Sequence, residues 1–249
     1  MRRLPRLLTA GAILSVALLF WIWTAAAARD MYGPMTGLSA WMMTSTWDWT
    51  HLLLLWAMWA AMMGAMMLPA ATPFLLLYQG ALRRQAPQTR VFRCVAALTL
   101  GYLAIWAAFS LGATALQRLL GSLLVLTPMM EMTSRVAIGI TLLVAGAYQL
   151  TPWKGRCLRA CRSPLNMVVE RWRPGVSGAL KMGAEHGAYC VGCCWALMLL
   201  LFAGGVMNLM VIVGLTLVVL IEKLAPMGLQ AGRGLGAMLC AAGAWFILR

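Results

Sequence analysis

The sequence predicts an all-α fold, a polytopic transmembrane helix bundle of about seven spans, or six if the first is a cleaved signal. Three observations predict it. The 249 residues are 63% hydrophobic and only 10% charged, whereas a soluble domain carries roughly a quarter charged residues. Several apolar runs approach or exceed the roughly 20 residues that a helix needs to cross a bilayer. The basic residues cluster in short segments between those runs. A soluble all-helical protein with a very apolar core is the competing reading, and runs of this length disfavour it.

The first run, "LLTAGAILSVALLFWIWTAAAA" at 7–28, follows Arg2, Arg3 and Arg6. A basic start, an apolar stretch and small residues before Arg29 resemble a signal peptide. The run is long for a signal core, and Trp21 and Trp23 at its end suit a retained span. The second run, 51–79, contains Pro69 and Pro73, each expected to kink it by removing an amide donor. Further runs lie at 94–117, 135–152, 184–204 and 206–224, with a weaker, glycine-rich one at 231–248. No segment between them is long enough to fold alone, and no repeat is visible, so residues 1–249 read as one membrane domain.

Charge sets the orientation. Segment 80–93 carries Arg83, Arg84, Arg90 and Arg93, and segment 153–183 carries seven basic residues against Glu170 alone. The alternating segments 29–50 and 118–135 lack this bias. The positive-inside rule then puts an uncleaved N-terminus in the cytoplasm and the C-terminus outside, in a bacterial-type inner (plasma) membrane. Trp41, Trp47 and Trp49 suit an outer interfacial belt, with part of loop 32–50 lying along the surface. The net charge of +14 therefore reads as an orientation signal toward the lipid bilayer; no basic helix interleaved with aromatics points to nucleic acid.

Chemistry concentrates in "HGAYCVGCCWALM", residues 186–198. On a helix, with His186 at zero, Cys190 falls near 40°, Cys193 near 340° and Cys194 near 80°, one stripe. Thiolate and imidazole together suit Cu(I) or Zn(II). Cys157 and Cys161, in "CLRAC", share a four-residue spacing and are expected at the cytoplasmic end of the fourth span, to complete the coordination sphere or take up metal. The cytosol disfavours structural disulfides there. Cys94 and Cys240, taken singly, read as packing. "CVGC" is also a C-x-x-C pair, so thiol–disulfide exchange through Cys190 and Cys193 is a second reading.

"MWAAMMGAMMLP" places Met58, Met62 and Met66 in one helical row and Met63 and Met67 in a parallel one. Thioethers are soft neutral ligands that favour Cu(I) over Zn(II); methionine is equally a flexible packing residue. With Met31, Met35, Met42 and Met43 on the outer side, a ladder from outside to inside is conceivable. Met198 and Glu222 join these methionines as path or outer-sphere candidates. Folding the last long runs as a hairpin brings Glu222 level with Cys190, and a carboxylate within an apolar segment is a functional candidate; the alternative is that Glu222 and Lys223 merely mark the helix end. Glycines 228, 232 and 236 allow close helix approach or a homo-oligomer contact. Phosphate-binding and nucleophile-elbow motifs are missing.

"AMMGAMMLPA", "CLRACRSP", "GAEHGAYCVGCCWALM", "GGVMNLM" and "EKLAPMG" together resemble a bacterial family of predicted metal-binding integral membrane proteins, a domain of unknown function with a C-x-G-C-C-W motif. The resemblance covers about 50–230. It implies metal binding and carries over to Cys157, Cys161, His186, Cys190, Cys193, Cys194 and Glu222 as motif positions, without naming a metal. The expectation is thus soft-metal handling, copper ahead of zinc, for transport or for delivery from a metallochaperone or to a membrane metalloenzyme, rather than enzymatic catalysis. A thiol oxidoreductase and a structural subunit of a membrane complex are the alternatives.

Overall fold

The computed structural model describes residues 4–33, 48–83, 86–127 and 130–249. Trp41, Trp47, Met35, Met42, Met43, Arg2, Arg3 and Arg84 lie outside the described residues, as does most of loop 32–50. In chain order the helices are α1 (Leu4–Met31), α2 (Trp49–Leu82), α3 (Gln88–Ser122), α4 (Arg135–Leu150), α5 (Pro152–Arg162), α6 (Pro164–Glu170), α7 (Gly175–Met198), α8 (Leu200–Gly204), α9 (Leu209–Leu224) and α10 (Gly228–Leu248). Among the described residues there is no strand, only an isolated bridge between Leu126 and Met132. The all-α helical bundle is the fold of this chain.

Among the described residues five stretches are long and apolar enough to cross a membrane, Leu7–Met31, Trp49–Leu82, Gln88–Ser122, Gly175–Gly204 and Gly228–Leu248, and the bent pair Arg135–Leu150 with Pro152–Arg162 makes up to six. The runs at 135–152 and 206–224 form helices of only 16 residues each, about 24 Å long against a hydrocarbon core of about 30 Å. Continuation of α4 stops at Pro152, which lacks an amide hydrogen and pushes the preceding residue extended. Thr151 adopts ψ 149° and its side chain accepts from the Lys154 amide, capping α5. The chain bends by 64° between α4 and α5. Segment 153–183, expected as a cytoplasmic loop, is therefore largely helical: α5 turns back across the bundle and packs on α7. Pro69 and Pro73 sit inside α2, which continues through both.

Glycine decides how closely the central helices meet. A side chain on Gly101 would reach 2.1 Å from the Leu180 carbonyl oxygen, and one on Gly183 would reach 1.9 Å from that of Leu98. The α3–α7 crossing is thus backbone against backbone. It lies one turn from His186 and fixes the face that α7 turns inward. A second crossing joins α4 to α10, where Gly146 and Gly236 abut each other's helices. Helix α1 lies on α2 at the periphery, with Leu7, Leu8, Leu18 and Leu19 exposed.

The connections sort to two ends. Tyr32 donates to Glu131 at 2.8 Å, and the Val206 amide donates to the Met130 carbonyl at 3.4 Å. This gathers the segments after α1, between α3 and α4, and between α8 and α9. At the opposite end Arg162 donates to the carbonyls of Glu222 (2.9 Å) and Pro226 (3.0 Å).

Candidate metal centre

Helix α7 buries one face, and that face carries Met182, His186, Cys190, Cys193, Cys194 and Met198. The repeat of three and four residues that aligns them is a local property of the helix. Helix α5 brings a second thiol pair to it. Cys161 Sγ lies 4.0 Å from Cys193 Sγ. Cys157 packs over Gly192, its sulfur 2.9 Å from where a Cβ would stand. The Gly192 carbonyl accepts from Tyr148. The two cysteines of α5 thus come to the part of α7 around Gly192 and Cys193.

The donors are held apart rather than closed. Cys193 and Cys194 both donate to the Cys190 carbonyl, at 3.1 and 2.9 Å. Cys190 Sγ faces Lys223 Nζ at 2.7 Å and the Tyr102 hydroxyl at 3.0 Å. The His186 ring stacks on Phe74, centroids 4.2 Å apart, and its buried Nδ1 has no hydrogen-bond partner. Among the described residues no three His, Cys, Asp or Glu donors converge on a single point. The thiols of Cys193 and Cys194 are thus engaged by the Cys190 carbonyl within their own helix.

The charged residues nearby are buried and arranged differently from the sequence-based expectation. Glu222 does lie at the level of the cysteines, but it turns toward α4 and α5: it accepts from Lys154 at 2.6 Å and from Gln149 at 2.8 Å. Lys223, rather than Glu222, meets the thiols. Lys223 does stand in the last turn of α9, and its side chain turns inward to Cys190. A buried ammonium is costly without an acceptor beside it, and Cys190 is that acceptor. Lys154, expected in an exposed basic loop, is 1% exposed because α5 tucks it against Glu222.

The methionines Met58, Met62, Met63, Met66 and Met67 are all buried. Tyr102 ties their helix to the cysteines, since its hydroxyl donates to the Met67 carbonyl at 3.0 Å while also contacting Cys190. Cys94 is buried in the α3 packing, and Cys240 sits against Gly146, away from the cluster. Sequence reasoning missed Tyr102 and Lys154. Tyr102 lies in an apolar run with nothing to single it out; a lysine two residues past a proline was a legible cue for Lys154, since Pro152 starts a new helix there.

No curated protein and no solved structure matches this chain. A family model described as copper chaperone matches residues 56–246. That range takes in the methionine rows, the two cysteines of α5, the three of α7, and Lys223. Thiols and thioethers are soft donors, compatible with copper. The chain belongs to the PpoB2 copper chaperone family.

Proposed function

We propose that this protein is a membrane-embedded copper chaperone that holds Cu(I) as cargo between α5 and α7 and passes it to a membrane metalloenzyme. Cys190, Cys193 and Cys194 supply thiolates, His186 its free imidazole nitrogen, and Cys157 and Cys161 exchange the ion where α5 covers the short ends of α4 and α9. The observation that supports the reading is the 4.0 Å approach of Cys161 to Cys193, a contact between the two sequence-distant cysteine motifs. Lys223 holds the thiols in place when no cation is present and yields that place to the ion. The five long apolar helices support placement in a membrane, with the α5 end cytoplasmic by the positive-inside rule.

The test is anaerobic purification in detergent and measurement of copper per chain, against a variant with Cys190, Cys193 and Cys194 all changed to serine. About one tightly held Cu(I) per chain, lost in the variant, is expected from a thiolate site. Absence of copper from the native protein after incubation with Cu(I) would refute the reading.

The same 4.0 Å contact favours a second reading, thiol–disulfide exchange, with Cys161–Cys193 as the reactive pair instead of Cys190–Cys193. Its signature is a mixed disulfide to a partner trapped in Cys161→Ser, independent of any bound copper.

A further inference from the structure

The soft donors do not end at the cysteines. Met67 shares the Tyr102 hydroxyl with Cys190, which sets the level of that part of α2. Nine residues back along α2, about 13 Å at 1.5 Å per residue, lies Met58, next to Trp59. The Trp59 ring meets Phe202 with centroids 5.2 Å apart. The Phe202 carbonyl accepts from the Met132 amide at 3.2 Å, and a few residues on, Val206 bonds Met130. The methionine rows of α2 therefore run from the cysteine level to the opposite end of the bundle.

Four buried soft or borderline donors lie toward that end in four separate segments. Met31 is 0% exposed at the close of α1, His51 2% at the start of α2, Met130 3% in the loop before α4, and Met207 0% in the turn before α9. His51 precedes Met58 by seven residues, two helical turns, so it continues the same face. Tyr32, adjacent to Met31, bonds Glu131, adjacent to Met130, and Gly205 packs against both groups. Burial, with the Glu131 carboxylate beside it, pushes the Tyr32 hydroxyl up to about 12, so it remains a donor at neutral pH. Met130 sits at φ 59° in the turn where its amide donates to the Thr127 carbonyl.

We propose that Met130, Met207 and Met31, with His51, form a second soft-metal site at the end opposite the cysteines, a neutral thioether–imidazole set that receives Cu(I) and releases it. The inference rests on the copper reading above and adds a separate place for the ion. Thioether and imidazole donors carry no charge, so they hold Cu(I) less firmly than thiolates do. That ordering suits a terminal site, from which an acceptor must take the ion away.

The experiment uses the full chain in detergent and Cu(I) alone. The Cys190/Cys193/Cys194→Ser variant, with Cys157 and Cys161 also changed to serine so that no thiol of the cluster remains, is titrated with Cu(I) against a competing chelator. It is expected to keep about one weaker Cu(I) per chain, with sulfur and nitrogen scatterers in X-ray absorption. Adding M130L and M207L is expected to abolish that binding. In parallel, with no methionine changed, Cu(I)-saturated and metal-free samples of the serine variant are oxidised with peroxide under otherwise equal conditions. Protection of Met130 and Met207, but not of exposed Met210 and Met238, supports the site. A serine variant that binds no copper, or binding unmoved by M130L/M207L, or the absence of metal-dependent protection, overturns it. In each of those cases copper on the native cysteines would still stand, whereas native protein without copper would refute the parent reading.

Discussion

At one end of the bundle Cys190 lies 2.7 Å from Lys223, and beneath it Lys154 and Glu222 form a second buried pair at 2.6 Å. At the other end Met31, Met130 and Met207 are as deeply buried, yet they are neutral groups. The difference follows from donor chemistry. A thiolate brings negative charge into a low-dielectric interior, and that charge must be balanced by an ammonium or by the metal itself. A thioether brings none, so its surroundings can stay apolar. The cysteine end is thus a layer of buried polar contacts whose members depend on one another, and the methionine end gathers neutral soft atoms that need no counter-charge.

The largest expected effect breaks that buried layer. Glu222→Ala leaves Lys154 buried without its carboxylate and should cost about 3–5 kcal/mol, while Lys154→Met with Glu222→Leu should recover most of it. Reversible unfolding in detergent checks this; equal stability of the single variant and the native protein would show that the pair carries no structural weight. Next comes the glycine crossing that aims α7. Gly183→Ala meets the Leu98 carbonyl and should lose about 1–3 kcal/mol together with copper retention. Gly214, which has nothing within 4 Å, is the control: Gly214→Ala in mid-helix should be neutral or stabilising by up to about 1 kcal/mol.

Subtler changes sharpen the contrast. Tyr102→Phe removes the hydroxyl shared by Cys190 and Met67 and should weaken Cu(I) binding about tenfold, as loss of an outer-sphere hydrogen bond does; chelator competition reads it, and unchanged affinity would assign Tyr102 to packing alone. Met58→Leu with Met62→Leu conserves volume and should change stability by less than about 1.5 kcal/mol. Copper on the cysteines should stay, and only release to an acceptor should slow. Smallest of all, Cys240→Ala should leave copper content unchanged, because Cys240 packs on Gly146 far along the chain from α5 and α7.

What the sequence by itself determined is local. Apolar runs predicted the helices, and the 3.6-residue repeat put His186, Cys190, Cys193 and Cys194 on one stripe and Cys157 and Cys161 on another, because spacing along a helix sets angle with no help from neighbours. Even the level of Glu222 opposite Cys190 was legible, since a hairpin fixes height by counting residues. Counting does not fix rotation. One residue is 100° of turn, and that angle decided that Lys223 faces the thiols while Glu222 faces Lys154. Likewise "CLRAC" announced a helical pair, but only the bend at Pro152 laid that helix across α7 and brought Cys161 to Cys193. The rotation of α9 and the path of α5 follow from how glycine faces and buried charges satisfy one another in three dimensions, and no stretch of sequence contains both partners.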